Sequence, residues 1–454
     1  MFNMFTLPED WHQRSADERL AFRWDYMVDG IGIDFESPET EALYKERATL
    51  LRDAIELKKA PARVPVFPSV QAYYLNHAGL TMRDFVLDIE NTIDAFVDFN
   101  VEFQPDAFAL IDGLSGLATD ALGSKLWLMP GIDLPDDSMW QFVEGEHMTA
   151  DEYPLFLSDP SDFLVRKFLP RTCSVLEPLA NLLDLKYLHY PSTAAVMFST
   201  PEFAEIGRIL SKAGDDYMET QMSLYIASSR LQAAGFPLMY GGTATAPFDT
   251  LGNTLRGTRG ILTDMYRHPD ELIEACERFV PVSIDLGLMS ANATGNPCVI
   301  FGLHKGADGF MSTAQFEKFY WPSLKKVILA FIEEGLTPIM FAEGSYDQRL
   351  EVIADLPKGK CVWWFDQTDM RRAKEILGET SCIMGNVPAS VMAAGTPDEV
   401  KTYCKDIVDV AGEGGGLILS NGAGIDQTTP ERIRAMIDFT KEYGTKQFSE
   451  KILK

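Results

Sequence analysis

Thr337-Pro-Ile-Met-Phe-Ala-Glu343 is a short apolar run that ends in an acid and opens into a Gly-Ser turn. From residue 65 onward, eight runs of this kind alternate with polar or glycine-rich turns and with helical stretches. Strands buried on both faces have this composition, and eight of them alternating with helices predict a closed parallel (β/α)8 barrel of the α/β class. The runs begin near residues 65, 107, 236, 298, 338, 361, 382 and 416.

The carboxyl ends of the strands carry the active site in such barrels. Most of the eight runs end in a side chain that can do chemistry, and these side chains make up the predicted site. We expect catalytic roles for Asp112, Tyr240, His304, Glu343 and Asp366. We expect two further strand-end residues, Asn386 and Asn421, to bind substrate.

Two of these acids allow a second interpretation. Glu343 stands where a buried strand opens into a turn, so its carboxylate is either partnered or raised in pKa, and both states suit acid/base or metal chemistry. It could instead form a structural ion pair with Arg349. Asp366 could cap the helix predicted to begin near Thr368 instead of entering the site.

Three other segments also contribute candidates. His304 lies in a loop of small residues beside Asp308, where it is either a site residue or a satisfied structural histidine. The glycine-rich segment from Tyr240 to Pro247 is predicted to be a loop that another group approaches closely. After the first run, three residues either line the pocket as substrate-binding groups or lie on a helix surface: Tyr73, Tyr74 and His77.

The chain has 454 residues, of which 46% are hydrophobic, six cysteines and a formal net charge of −27. Nucleic-acid binding needs a basic footprint, so this charge argues against a nucleic-acid partner. No apolar run approaches the roughly 20 residues that span a bilayer, and the N-terminus lacks the pattern of a signal peptide. We therefore expect a soluble cytoplasmic protein with reduced thiols and no membrane partner.

The helical pattern of residues 1–60 predicts an N-terminal extension that packs on the barrel. The barrel itself is expected to occupy residues 61–454 as one domain. Residues 113–235 are far longer than one βα unit, so we expect them to form a large insertion after the second strand that roofs the site. The sequence leaves a homo-oligomer open.

Familiar catalytic signatures are absent, since the sequence has no serine nucleophile elbow and no GxGxxG, Walker or HExxH motif. Three segments in order nevertheless resemble the uroporphyrinogen decarboxylase superfamily, with similarity over roughly residues 60–445. The superfamily includes the haem-pathway decarboxylase and the cobamide-dependent methyltransferases, and the resemblance implies a barrel enzyme. The segments are Ala121-Leu-Gly-Ser-Lys-Leu-Trp-Leu-Met-Pro-Gly131, Met311-Ser-Thr-Ala-Gln-Phe-Glu-Lys-Phe-Tyr-Trp-Pro322 and Gly416-Leu-Ile-Leu-Ser-Asn-Gly-Ala-Gly-Ile-Asp-Gln-Thr-Thr-Pro430.

The chain departs from the decarboxylase pattern at two places. The resemblance would imply an Arg-Gln-Ala-Gly-Arg segment after the first strand to hold substrate carboxylates, whereas Pro68-Ser-Val-Gln-Ala-Tyr-Tyr74 contains no arginine. Ala423 stands where a late His-Gly would be, and only Asp112 has a counterpart. Decarboxylation of uroporphyrinogen is therefore not the expected reaction.

The methyltransferases that act on thiols would imply a zinc site, built from His-x-Cys at one strand end and Cys at the last. Here Phe341-Ala-Glu343 and Ala423 occupy those places, so the site is missing in its usual form. A different metal site, zinc included, would use the harder ligands His304, Glu343 and Asp366.

We therefore expect a cobamide-dependent methyltransferase component. It would move a methyl group between a small O- or N-methylated compound, or a folate or thiol carrier, and the cobalt of a partner corrinoid protein. The chain has no Asp-x-His-x-x-Gly signature, so the cobalamin is expected to arrive on that partner. Two alternatives remain: a corrinoid-independent decarboxylase or lyase with Asp112 and Glu343 as acids, and a barrel that binds without catalysis.

Overall fold

Six parallel strands form the main sheet of the computed structural model, which describes residues 5–111, 113–182, 189, 192 and 194–452. The strands follow one another in the sheet in chain order. Two short strands that precede them pair antiparallel. The strands are β1 Trp127–Leu128, β2 Gln141–Phe142, β3 Gly242–Thr245, β4 Cys298–Leu303, β5 Thr337–Ala342, β6 Val362–Phe365, β7 Cys382–Val387 and β8 Leu417–Asn421.

Helices fill the connections between the strands, and the described part of the chain has no helix long and apolar enough to cross a membrane. The α-helices are α1 Ala16–Val28, α2 Pro38–Glu56, α3 Tyr73–His77, α4 Met82–Leu87, α5 Ile93–Phe103, α6 Gly116–Ala121, α7 Tyr153–Ser158, α8 Pro160–Phe163, α9 Leu169–Thr172, α10 Ala194–Phe198, α11 Pro201–Ala233, α12 Pro247–Thr250, α13 Gly257–Arg267, α14 Pro269–Thr294, α15 Thr313–Gln315, α16 Trp321–Glu333, α17 Leu350–Ile353, α18 Met370–Leu377, α19 Ala389–Ala394, α20 Pro397–Ala411 and α21 Pro430–Ile452. Short 3-10 helices occupy Trp11–Gln13, Ile89–Thr92, Ala150–Glu152 and Ser174–Asn181, and π-helical turns occupy Leu164–Phe168, Leu251–Arg256 and Phe316–Tyr320.

Two segments that pair through single bridges close the sheet into a ring. Val66 bridges Leu419 of β8, and the Asp106 amide donates to the Val66 carbonyl at 3.0 Å. Phe108 bridges Leu238, from which the chain runs directly into β3. These contacts join β8 back to β3, so that eight segments surround one interior, as the sequence predicts for a (β/α)8 barrel.

The third strand lies later in the chain than the sequence predicts. The ladder to β4 is formed by β3 itself, so the predicted glycine-rich loop after Tyr240 is mostly barrel wall. A Cβ on Gly242 would lie 3.1 Å from the Ala291 nitrogen of α14 and 3.0 Å from Val299 Cγ2. A side chain at this position would crowd α14, and Tyr240 precedes the strand instead of ending it.

The barrel interior and the outer layer follow from the two faces of each strand. On β4, Cys298 packs into the interior cluster, while Val299 packs with the surrounding helices. The interior cluster also contains Trp24 of α1 and Leu51 of α2. The two N-terminal helices therefore close the amino end of the barrel, opposite the carboxyl ends of the strands.

Residues 113–235 contain β1, β2 and the helices α6 to α11, where α11 alone has 33 residues and packs on α5 and α6. The amides of His147 and Met148 both donate to the Leu255 carbonyl at 2.8 Å. Lys305, just beyond β4, forms an ion pair with Glu144 at 3.1 Å. These contacts tie the segment to the barrel beside the carboxyl ends of β3 and β4.

Asn421 joins the last strand to the first segment. Its Nδ2 donates to the Ser69 carbonyl at 3.0 Å and its Oδ1 accepts from the Ser69 amide at 2.8 Å. The Trp364 indole N–H donates to the Asn421 carbonyl at 2.9 Å. The side chain is fully buried and both its groups are used, so these contacts do not support the substrate-binding role predicted for Asn421.

Replacing Asn421 with alanine should lower the free energy of unfolding by about 1–3 kcal/mol, because it leaves the buried amide of Ser69 without a partner, while the Ser69 carbonyl keeps only the Ile425 amide as donor. Urea unfolding followed by circular dichroism measures the loss. Asn386→Ala is the matched control, since Asn386 is only half-buried and donates to one carbonyl, that of Thr368. Equal losses in the two variants would contradict the closing role of Asn421.

Candidate functional site

The carboxyl ends of β4 to β7 present polar side chains to the barrel interior. Ile300, Phe341, Trp364 and Met384 belong to the interior cluster. Residues at even spacing beyond them share the same face of their strands, so they line the mouth of the barrel. The residues at the mouth are His304, Glu343, Asp366 and Asn386.

His304 and Glu343 form a pair at the mouth. The distance from His304 Nε2 to Glu343 Oε1 is 3.6 Å, and each side chain is 46% exposed. On the other side of the ring, His304 Nδ1 lies 2.7 Å from Asn253 Nδ2. An amide nitrogen only donates, so Nδ1 accepts and the proton of the neutral ring resides on Nε2, next to Glu343.

Asp249 supports this pair from below. Its carboxylate, 2% exposed, accepts from the backbone nitrogens of His304 at 3.0 Å and Lys305 at 2.9 Å. The Tyr320 hydroxyl donates to it at 2.6 Å. Burial raises the pKa of Asp249, although these donors and His304 oppose the rise. The three hydrogen bonds fix the turn after β4 and with it the direction of His304.

Burial among the strand ends raises the pKa of Glu343 above its ordinary value. The negative charges of Asp249 and Asp366 act in the same direction, while His304 opposes them. A carboxyl group in this setting keeps its proton to higher pH and can give it to a leaving group. The arrangement is therefore that of a general acid with a histidine beside it.

Asp366 enters the site and does not cap a helix. Its Oδ2 accepts from the Gly344 amide at 3.0 Å, and burial raises its pKa. The cap of α18 is Asp369, which accepts from two amides of the first helical turn. Asn386, at the end of β7, donates to the Thr368 carbonyl at 2.8 Å.

Arg349 does not neutralise Glu343. Its buried guanidinium donates to the Gly306 carbonyl at 3.2 Å and lies 3.5 Å from Asp308. Asp308 also accepts from the Ser345 hydroxyl at 2.9 Å. The structural ion pair considered from the sequence is thus between Arg349 and Asp308, which leaves Glu343 with His304.

Aromatic rings form the floor beneath the polar mouth. The ring centroids of Phe341 and Trp364 are 4.4 Å apart, and Phe67 lies 5.8 Å from Trp364. Tyr240 contacts Phe67 edge-on at 6.4 Å. Tyr240 therefore belongs to this floor, below the predicted catalytic residues. Phe67 and Trp364 are fully buried there, and the rings are tilted or edge-on to one another, so only the partly exposed Phe341 and Tyr240 can contact a ligand.

The predicted residues after the first strand segment lie elsewhere. Tyr73 and Tyr74 are buried against α5, with centroid distances to Phe99 of 6.2 and 4.7 Å. His77 Nε2 lies 2.8 Å from Glu102. These contacts put all three on helix packing, not in the mouth, and give no support to their substrate-binding role. Asp112 lies outside the described residues, and its catalytic role stays a prediction.

Sequence reasoning missed Asp249 and Asn253. Both follow β3. Pro247-Phe-Asp249 has the pattern of a helix start with an acid in its first turn, and this pattern does not indicate that the acid is buried. The third strand was placed too early, so the residues at its true carboxyl end fell outside the predicted site. An acid four residues beyond a correctly placed strand end would have been the available signal.

The candidate ligands do not fit a metal site. Within the described ranges, no three or more His, Cys, Asp or Glu side chains lie close enough together to hold a metal ion. Only His304 and Glu343 approach each other, while Asp366 is held by the Gly344 amide. All six cysteines are buried as free thiols.

Residues 200–443, more than half of the chain, match the model of the family described as uroporphyrinogen decarboxylase (URO-D). The chain therefore belongs to this family. The match begins in the insertion and runs through β3 to β8, so it includes His304, Glu343 and Asp366.

Relatives of known function share about half of their length with this chain. The uroporphyrinogen decarboxylase of Aromatoleum aromaticum is 27% identical over 194 residues, which cover 41% of this chain and 52% of that protein. The uroporphyrinogen decarboxylase of Syntrophotalea carbinolica is 25% identical over 175 residues, covering 38% and 49%. A solved methyltransferase from Methanosarcina mazei superposes with a TM-score of 0.57 at 15% identity, over 88% of this chain and 98% of that one, which shows a shared fold.

Glu343→Gln should reduce the loss of stability with rising pH. An acid whose pKa is raised on folding holds more protons when folded than when unfolded, so the wild type loses free energy of unfolding as pH rises above 4.5, the ordinary value for this acid. Relative to wild type, the variant should therefore gain stability between pH 4.5 and neutrality, measured by urea unfolding. Glu317→Gln, at an exposed position, controls for the lost charge. A pH-independent difference for Glu343→Gln would contradict the raised pKa.

Asn253→Ala should change the protonation of the His304 ring. In the wild type, ¹⁵N chemical shifts of His304 should show a protonated Nε2 and an unprotonated Nδ1 because Nδ1 accepts from Asn253. Without that donor, both tautomers should be populated. Asn91→Ala, at an exposed asparagine, is the control and should leave the His304 shifts unchanged. A wild-type ring with its proton on Nδ1 would overturn the assignment.

Proposed function

We propose that this protein removes the methyl group of a small methoxylated aromatic compound and passes it to a corrinoid held by a separate protein. The observation that carries the proposal is the His304–Glu343 pair at 3.6 Å, in which Glu343 has a raised pKa. The pair offers a proton at the barrel mouth, and the partly exposed Phe341 and Tyr240 beneath it offer apolar contacts to a substrate ring.

The demethylation requires a proton at one atom, the oxygen of the methyl ether. A reduced cobalt on the partner supplies the electron pair that receives the methyl group. When the methyl–oxygen bond breaks, its electron pair stays on the oxygen, which takes the proton of Glu343 and leaves as a phenol. Glu343, itself half-exposed, then takes a proton from solvent, and the Nε2–H of His304 faces its carboxylate in the meantime. Positioning and charge neutralisation of this kind supply most of the rate in such transfers.

The charge of the mouth favours a neutral substrate. Glu343 and Asp366 line it, with the buried Asp249 beneath. Neighbouring cations of the described chain are already paired, since Lys305 lies 3.1 Å from Glu144 and Arg256 is bonded to a buried aspartate. A polycarboxylate such as a porphyrinogen would meet repulsion here, whereas a methyl ether would not.

The cobalt is proposed to come from a partner, because the sequence lacks a corrinoid-binding signature and the candidate ligands do not fit a metal site. The net charge of −27 suits a partner that presents a basic patch to this chain. Such a partner would have to reach the mouth, where His304 and Glu343 lie.

A decarboxylase or lyase on a non-porphyrin substrate is the second candidate. It is favoured by the curated relatives, which are uroporphyrinogen decarboxylases, and by the protonated acid at the mouth. It would use Asp112 and Glu343 as acids and would release carbon dioxide without a corrinoid protein. A barrel that binds without catalysis would show neither reaction.

Glu343→Gln should cut demethylation by about 100-fold or more, since the amide keeps the shape of the acid but is no proton donor of comparable strength. The measurement is release of the phenol from methoxylated aromatic donors mixed with reduced corrinoid proteins, resolved by chromatography. Glu317→Gln should keep the wild-type rate. Equal rates for wild type and Glu343→Gln would exclude Glu343 from the chemistry, and carbon dioxide release without corrinoid would favour the second candidate.

A further inference from the structure

A cavity of about 430 Å³ lies at the amino end of the barrel, away from His304 and Glu343. Its walls come from the turn between α1 and α2, the last turns of α11 and the end of α14. Gly30 gives that turn its shape: its φ is +65°, and a Cβ there would lie 2.6 Å from Phe35 Cζ. Three elements that are remote in sequence thus enclose a space that the proposed methyl transfer does not use.

Two tyrosine hydroxyls are the polar groups of this cavity that other parts of the described chain leave unused. Tyr44 is only 3% exposed, and neither its hydroxyl nor that of Tyr26 has a hydrogen-bond partner among the described residues. The two lie close enough that the charge of one would disfavour ionisation of the other. Burial raises the pKa of both, so both remain neutral donors at physiological pH. Neither hydroxyl is among the buried side-chain atoms that lack a partner, so both are open to the solvent of the cavity, where a ligand would accept from them.

The remaining polar groups of the cavity are already engaged or exposed. Asn296 donates to the Leu238 carbonyl at 2.7 Å and accepts from the Cys298 amide at 2.8 Å. Arg230 is paired with Asp94 at 2.7 Å, and Asp34 lies on the exposed turn. Asp34 is thus a lining acid without an ion pair among the described residues, so it disfavours an anionic ligand but not a neutral one.

The volume lies within the range of about 300–1,000 Å³ that is usual for small-molecule sites. Aromatic rings at the wall and rim, Tyr26, Tyr44 and Tyr225, favour a flat ring between them. We propose that this cavity is a second binding site, for a neutral, planar aromatic compound whose carbonyl oxygen accepts hydrogen bonds from Tyr26 and Tyr44. The proposal does not depend on the reaction assigned to the mouth.

The test uses 4-fluoroacetophenone, a neutral aromatic ketone, titrated with the full-length protein and followed by ¹⁹F NMR relaxation. Tyr44→Phe removes one hydroxyl and should weaken binding by about tenfold, the usual effect of losing one hydrogen bond to a ligand. Ser229→Trp fills the cavity from a partly exposed position of α11 and should abolish binding. Glu343→Gln, at the mouth, should bind as the wild type does. Thermal unfolding checks that each variant is folded.

Two results would support the site together: weaker binding by Tyr44→Phe and loss of binding by folded Ser229→Trp. Three results would overturn it. The first is no binding to wild type at millimolar probe. The second is unchanged affinity in both cavity variants. The third is loss of binding in Glu343→Gln, which would place the probe in the mouth. None of these results bears on demethylation, so the proposed function stands or falls separately.

Discussion

The mouth of this barrel depends on one buried carboxylate, that of Asp249. A carboxylate taken out of water is strongly destabilising unless its lone pairs are satisfied, and here two consecutive amides and the Tyr320 hydroxyl satisfy them. Hydrogen bonds to a charged acceptor are worth about 1.5–3 kcal/mol each, so the turn after β4 has little freedom. The same charge that orients His304 also raises the pKa of Glu343. Asp249 therefore contributes both to the position of His304 and to the protonation of Glu343, whose raised pKa comes mainly from burial.

The two-residue period of the strands sets the chemistry of the site. Along β5, the residue that packs in the barrel interior is Phe341, and the next residue on that face is Glu343. Apolar packing below and solvent above leave the carboxyl group on a boundary, where its charged form is poorly hydrated. Trp364 and Asp366 repeat the arrangement on β6. The site is thus the rim of the hydrophobic core, and its acids owe their raised pKa to the packing beneath them.

The sequence predicted the parts of the fold that depend on local pattern. Buried runs of β-branched and aromatic residues identified the later strands, and the residues that end them, His304, Glu343 and Asp366, do meet at the mouth. The third strand was misplaced because Gly241 and Gly242 are typical of a loop. In the structure they lie where α14, which is distant in sequence, closely approaches the strand. The structural contacts of Asn421 could not be predicted for a similar reason: its partner, Ser69, is 352 residues away. Asp249 went unnoticed because burial of a polar residue is set by tertiary packing.

The N-terminal helices that close the amino end of the barrel complete their packing only late in synthesis. Trp24 and Leu51 are synthesised before all the strands, but the interior cluster they join also contains Ile418 of the last strand. Their apolar faces have no complete partner until nearly the whole chain has been made, so the nascent protein carries exposed hydrophobic helices through most of translation. A chaperone that binds amphipathic helices would meet its substrate at this end of the chain. The helices that close the finished barrel therefore expose apolar surface to solvent until the last strand has been synthesised.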